Sequence, residues 1–383
     1  SKLTGTVIKN AGATISGGTA GFNMYYSTLT GSLMNSGLIQ GTSSLRQSGD
    51  AVWIGDSSLV TGGITNAGSI IGVVSGISAI NGSSVTGAID NSGLISGASG
   101  IVVSNSTIGG GITNSGVITG LGGNAVSIVS SPTTNLTNAA TGTIVGAISG
   151  NTNVSNSGLW ALQTASGAGG AIVAGSHTNA SISGTYTQAS GATLQVGVNG
   201  TNGSGTLAGN YSTLNVSGAA SFASGSTISV SMNKAYSLLA GATLTGVVTA
   251  GTLSGASNVR VVDNSALLDF TESTAANANR LDIVAYASPT NNIVNAVIQN
   301  NNPAALGAAY VLQSLSTNTP PAMQGVIGAL NAMPTTLAVS NAVSQTLPTL
   351  VGAGSQATAV NQQKLNHIMQ GRQNKLLGLS SGE

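Results

Sequence analysis

The sequence predicts an all-β chain wound into a right-handed parallel β-helix, a solenoid, with a short α-helical C-terminal segment. Three observations point there. The first is a phrase that returns seven times between Val7 and Trp160: an apolar residue, any residue, Asn, a small residue and Gly, then an apolar pair. Its fullest forms are Leu33-Met34-Asn35-Ser36-Gly37-Leu38-Ile39 and Ile112-Thr113-Asn114-Ser115-Gly116-Val117-Ile118, and once it shrinks to Leu136-Thr137-Asn138. The second is its spacing. The asparagines are Asn10, Asn35, Asn66, Asn91, Asn114, Asn138 and Asn156, with steps of 25, 31, 25, 23, 24 and 18 residues. A unit of this size is too short to bury its own apolar face and must stack on copies of itself. The third is the content of a unit. Between Asn66 and Asn91 lie the β-type runs Ser69-Ile70-Ile71, Gly76-Ile77-Ser78-Ala79-Ile80 and Ser84-Val85-Thr86, punctuated by Gly and small polar residues. Three strands per repeat with no helix between them fit a coil of parallel strands. The asparagines then recur at one corner, where each amide can bond the amide above and below.

Composition agrees with this architecture and excludes some functions. Only 4% of the 383 residues are charged, against roughly 25% in an ordinary globular domain. The 41% of hydrophobic residues, arranged in regular rungs, argue against disorder. A formal net charge of +1 with nine scattered Lys and Arg provides no basic stripe, which argues against nucleic acid as a partner. Cysteine is absent, an advantage for a chain that crosses an oxidising compartment unfolded. No run approaches 18 apolar residues. A chain that starts at Ser1-Lys2 fits a mature or excised fragment.

Residues 1–180 read as the rungs. The long interval from Asn35 to Asn66 holds Arg46, Asp50, Trp53 and Asp56, an unusual density of charge for this chain. Strand alternation sets Trp53 on the face opposite Val52 and Ile54, so an inward Val52 and Ile54 expose it. Two readings follow: a recognition patch on a protruding corner, or a wider turn whose Trp covers a corner of the core. Arg46, Asp50, Trp53 and Asp56 are the candidate binding residues.

From residue 181 the alternation becomes cleaner. The runs include Gly184-Thr185-Tyr186-Thr187-Gln188, Leu194-Gln195-Val196, Tyr211-Ser212-Thr213-Leu214-Asn215-Val216-Ser217-Gly218-Ala219-Ala220 and Tyr236-Ser237-Leu238-Leu239-Ala240. This stretch, 181–290, resembles the C-terminal passenger region of bacterial autotransporters, the type V secretion family. The positions that carry the resemblance are Gly184, Tyr186, Gln188, Tyr211, Leu214, Val216, Gly218 and Tyr236. The resemblance implies an autochaperone-like cap that folds first and templates the rest. It also implies export through the outer membrane to the bacterial cell surface. The same stretch holds Tyr186, Tyr211, Tyr236 and Tyr286, and aromatics bury more area than the Gly, Ala and Ser of the early rungs. A protease-resistant C-terminal core and earlier fraying of residues 1–100 are therefore expected.

Residues 291–383 lose the alternation. Pro303, Pro320-Pro321, Pro334 and Pro348 each open an apolar-periodic stretch, as proline does in the first turn of a short helix. A last helix is expected over about 355–376, made basic by Lys364, Arg372 and Lys375. It resembles the helical linker that leads into an autotransporter's own outer-membrane β-barrel, a barrel this sequence does not contain. A plain solvated helix closing the rod fits the same residues.

The sequence is poor in chemistry. It has two histidines, His177 and His367, no metal-spaced cluster and no phosphate-cradling Gly-rich motif, so no cofactor or metal is expected. Gly55-Asp56-Ser57-Ser58-Leu59 resembles the nucleophile block of the GDSL esterases. That family places Asp three residues before its catalytic His, whereas Ala174 precedes His177 here, and a turn with a local Asp side-chain bond is the expectation. Asp263, Asp269 and Glu272 read as a solvated corner. Two function classes remain. One is a non-catalytic adhesin or self-association stalk that binds host-cell surface or matrix molecules, or the same protein on neighbouring cells. The other is a stalk for an effector domain upstream of Ser1.

Overall fold

The computed structural model describes residues 1–44, 49–200, 207–233, 238–274, 278–347 and 353–380. They form a parallel β-helix with a helical C-terminal segment.

Three ladders of parallel strands run along the coil. The first stacks Val7–Lys9, Leu33–Asn35, Ile64–Asn66, Ile89–Asn91, Ile112–Asn114, Thr134–Asn138, Thr152–Asn156 and Tyr186–Gln188. The second begins at Thr14–Gly17 and ends at Arg260–Asp263. The third begins Ala20–Tyr25, Asp50–Gly55, Ser75–Ile80. A fourth, shorter sheet of 5 strands covers one side of the early rungs, from Lys2–Thr4 to Thr107–Ile108. The early units therefore have four strands rather than three, because the Asn-bearing phrase is itself a strand whose last residue turns inward.

Register explains the apolar pattern. Leu33, Ile64, Ile89, Ile112, Leu136 and Val154 lie directly over one another and are buried. So do Ile39, Ile70, Ile95, Ile118, Ile144 and Trp160 on the second ladder. Each such side chain contributes about 1.5–3 kcal/mol by leaving water. The Gly of the phrase has a steric reason. A Cβ on Gly93 would run into the carbonyl oxygen of Gly68, and one on Gly116 into that of Gly93. Those carbonyls are held there because they accept from Leu94 and Val117 of the next rung, each at 2.8 Å.

The coil carries an excursion and ends earlier than expected. Ala165–Ser166 and Ala171–Ile172 pair antiparallel in an excursion between Leu159–Leu162 and Asn179–Ile182. Parallel stacking stops at Asp263, not near residue 290. Leu268–Ser273 and Arg280–Ala287 form an antiparallel hairpin, and the latter strand lies antiparallel against Thr243–Ser254. This hairpin closes the end of the core. Beyond it, α1 (Ile293–Gln299), α2 (Leu306–Thr317), α3 (Gln324–Asn331) and α4 (Thr336–Ser344) enclose a second core that includes Ala296, Val297, Ile327 and Val339 together with Leu267, just before the hairpin. Asn331 Nδ2 donates to Leu238 O at 2.9 Å, and Ser265 Oγ to Asn331 O at 2.6 Å, tying this bundle to the rod. The last helix, α5 (Ala353–Ser380), has exposed side chains over 359–375.

Candidate functional site

Two arrangements of polar and aromatic side chains rise out of this scaffold, one inside the coil and one on its flank. The inner one is an amide spine. Asn35, Asn66, Asn91, Asn114, Asn138 and Asn156 are all buried. Each Nδ2 donates to the Oδ1 of the next, at 2.8, 2.7, 2.8, 2.8 and 2.9 Å. Each of the first five also donates to the carbonyl two or four residues on, such as Asn91 to Gly93 O at 3.1 Å. Both faces of every corner are thereby satisfied without water.

Asn10 is not part of the spine. The residue in register with Asn35 is Lys9, since Val7, Ile8 and Lys9 pair with Leu33, Met34 and Asn35. Asn10 is exposed, whereas Lys9 is only 4% exposed and donates from Nζ to Asn10 O and Ala13 O. The amides of the spine all point the same way, so their oxygen end faces Lys9, and the ammonium occupies the rung next to that negative end. At the other end Gln188 is in register with Asn156 and donates to Ala192 O and Thr227 O. Its Oε1 accepts from Tyr186 OH at 2.6 Å. Burial pushes the Tyr186 phenol above its ordinary range. Phe222 takes the following place, and Trp160, Tyr186 and Phe222 form an edge-to-face series at 5.6 and 5.7 Å. Gly184, Leu214, Val216 and Gly218 lie in the same rungs, with Gly218 N donating to Gly184 O at 3.0 Å. Tyr211 OH donates to Thr245 O at 2.7 Å, and Tyr236 lies outside the described residues.

The outer arrangement is the long interval. Val52 and Ile54 are fully buried, and Trp53 projects outward from the third ladder, half-exposed. Its neighbours in register are Asn23 and Ser78, and that outward column continues Val102, Ser127 and Ser149. Trp53 is thus an aromatic in a column otherwise built of small or amide side chains. Its indole lies along the strand over Gly55, where a Cβ would run into the ring. Tyr25, paired with Gly55 on the adjacent rung, sets its ring 17° from parallel to the indole with centroids 6.2 Å apart. Tyr26 packs edge-on against Tyr25 at 4.6 Å. Both tyrosines are 61% exposed.

The other candidates of this interval separate. Asp50 is a correction: it is 3% exposed, and so cannot act as a surface ligand. It opens the strand at a corner where alternation fails, so it and Ala51 are both buried. Burial raises its pKa, partly offset by hydrogen bonds from Ser75 and Ser78. Its Oδ1 has no partner among the described residues. Arg46 lies outside the described residues. Asp56 and Ser57 form a tight corner in left-handed backbone, φ 52° and 58°. Asp56 Oδ1 accepts from Asn81 Nδ2 on the next rung at 3.0 Å, so its bond is between rungs rather than local. The local bond is Ser58 Oγ to Gly55 O at 2.6 Å. His177 is in the excursion loop several rungs away, and the GDSL-like block is a corner turn.

Tyr25 and Tyr26 were not among the residues picked out from sequence. The available signal was Phe22, Tyr25 and Tyr26 within five positions of a chain that is 3% aromatic. Among the described residues no group of three or more His, Asp or Glu is placed to hold a metal ion. No protein family, curated protein or solved structure matches the chain.

Proposed function

We propose that this chain is the passenger of a bacterial autotransporter, displayed on the cell surface, and that it acts as a non-catalytic adhesive rod. It would hold a cell to host-surface or matrix molecules, or to the same protein on a neighbouring cell. The observation that carries the reading is the flank of the coil. Outward columns such as Val102, Ser127, Ser149, Ser181 and Asn215 repeat in register over the rungs, almost without charge. Two such surfaces meet little like-charge repulsion and can share many weak hydrogen bonds, which add through multivalency. The amides with the most stringent bonding needs are meanwhile satisfied inside.

The test is settling and surface attachment of cells that display the chain, compared with cells that display none. Faster settling or stronger attachment is the expected result. Equal behaviour of the two would overturn the adhesive reading and favour a stalk for an effector.

A further inference from the structure

We infer that the Tyr25–Trp53 corner is a carbohydrate-binding site for a neutral pyranose whose hydroxyls are equatorial, as in a β-linked glucose chain. The inference rests on the adhesive reading and gives it a ligand class.

The first argument is the aromatic surface. Two rings within 17° of parallel stand on adjacent strands of the sheet, Tyr25 exposed and Trp53 partly so. Tyr26, edge-on to Tyr25, limits the freedom of that ring. Burying an aromatic face recovers its hydrophobic area, and the negative π face attracts C–H groups that carry partial positive charge. A pyranose with equatorial hydroxyls presents its axial C–H groups on both faces of the ring. Such a sugar can lie on indole or phenol without stranding a hydroxyl against carbon.

The second argument is the polar rim. Asn23, exposed, is the register neighbour of Trp53 on the first rung. Asp56 follows Gly55, over which the indole lies, and Asn81 sits on the next rung with its Nδ2 on Asp56 Oδ1. The second carboxylate oxygen of Asp56 accepts from none of the described residues. A carboxylate oxygen beside an amide offers acceptor and donor to adjacent hydroxyls, which are each both donor and acceptor. Aromatic platform and amide–carboxylate rim therefore share one corner.

The third argument is charge. Near the corner the Asp56 carboxylate is matched by the N-terminal ammonium, which donates to Tyr26 O at 3.1 Å, and by Lys2, which lines a pocket with Asn23. Charge there is close to balanced and offers no cluster of cations to favour sulfated or otherwise anionic sugars. An aromatic face would also suit a nucleobase, but the chain has no basic track for the phosphates.

The chain has two tryptophans, and Trp160 is fully buried, so sugar-induced changes in tryptophan emission report Trp53. The purified chain is titrated with cellohexaose by fluorescence and, independently of tryptophan, by calorimetry, with heparin as the anionic comparison. The expected result is saturable binding of cellohexaose. Trp53→Ala and Tyr25→Ala each weaken it by about tenfold or more, as for a central aromatic contact, and Trp53→Phe retains a larger part. Circular dichroism checks the fold of each variant, and the exposed Tyr25→Ala stands if Trp53→Ala is misfolded. No heat with cellohexaose at millimolar concentration, unchanged affinity in folded Tyr25→Ala, or binding of heparin alone would overturn the site.

Cells displaying the chain separate this failure from failure of the adhesive reading. Adhesion that persists undiminished in Tyr25→Ala cells, with no cellohexaose binding by the purified chain, removes the sugar site and leaves the adhesive rod. Cellohexaose binding by a chain whose cells do not adhere keeps the site and removes the adhesive role.

Discussion

Asn66 donates from Nδ2 to Oδ1 of Asn91 across one rung at 2.7 Å, and neither amide is reached by water. Asn91 in turn donates to Asn114 Oδ1, Gly93 O and Val117 O. This one amide closes hydrogen bonds for three rungs. Asn91→Ala removes all of them and leaves Asn114 Oδ1 without its donor, while Asn66 Nδ2 keeps Leu94 O at 3.0 Å and Gly68 O at 3.3 Å. The expected cost is about 1–3 kcal/mol, chiefly from the buried Asn114 acceptor left without its donor. The exposed neighbour Ser92, whose Oγ reaches Asn66 O at 3.3 Å, should cost about 0.5 kcal/mol or less when changed to Ala. Urea unfolding of both variants makes the comparison, and equal midpoints would show that the spine does not hold the rungs together.

Gly93→Ala addresses the backbone side of the same corner. The added methyl meets the Gly68 carbonyl, which cannot withdraw because it accepts from Leu94 N at 2.8 Å. The loss should exceed the about 1 kcal/mol typical of point changes, and reach roughly 2–4 kcal/mol as rungs are forced apart. Gly12→Ala in the first unit is a different case. Its φ is 74°, but nothing lies within 4 Å of an added Cβ. Strain alone should cost about 1–2 kcal/mol. Thermal midpoints falling equally in the two variants would contradict the steric account.

How much of this was legible beforehand depends on what each residue's position demands. The spine was readable from Asn35 to Asn156 because an inward amide and a Gly under a backbone carbonyl leave few substitutes. The same phrase misled at Asn10. There the turn from Lys9 to Thr14 is longer than that from Asn35 to Leu38, and a shift of one residue swaps which side chain faces inward. Asp50 was misplaced because charge suggests exposure, whereas a corner can bury two consecutive residues. The end of the coil at Asp263 was hidden because a buried strand pairs parallel or antiparallel with the same alternation. At the aromatic corner Trp53 was legible from alternation alone, but Tyr25 needed the register, which no local pattern states.

Asp263 makes the stability of the rod's end depend on pH. Burial is the main cause that raises its pKa from 3.8 to about 6; Ser265 N, donating to Oδ1 at 2.8 Å, opposes it, and the charge of Asp269 adds to it. The folded carboxyl thus holds its proton more tightly than the unfolded one. Between about pH 4 and 6 the folded state carries more protons, so its stability is highest below that window and falls as pH rises through it. Asp50, also raised by burial, acts with the same sign. The chain should melt at a higher temperature at pH 5 than at pH 7.5, and Asp263→Asn should flatten the difference. An undiminished slope in Asp263→Asn would assign the effect elsewhere.

The two ends of the coil should differ in local stability. Val7–Lys9, Thr14–Gly17 and Ala20–Tyr25 have ladder partners on one side only among the described residues. Leu3 and Ile8 on these first strands are exposed, at 55% and 65%. The far end is covered by the antiparallel hairpin and the helical bundle, and just inside it Trp160, Tyr186 and Phe222 interlock. Aromatic side chains bury more area than the aliphatics of earlier rungs, and rungs couple mainly to their neighbours. Opening should therefore begin at the first rungs and reach the aromatic rungs last. Amide hydrogen exchange followed by mass spectrometry should show peptides from 1–25 exchanging fastest and those covering 144–162 and 186–230 slowest. Tyr186→Ala removes both ring contacts and the bond to Gln188 Oε1, at an expected cost of about 3–5 kcal/mol. It should erase the extra protection of the aromatic rungs while leaving the order among the early rungs unchanged. Slowest exchange in 1–25, or unchanged protection around residue 186 in Tyr186→Ala, would show that the aromatic series is not what anchors the coil.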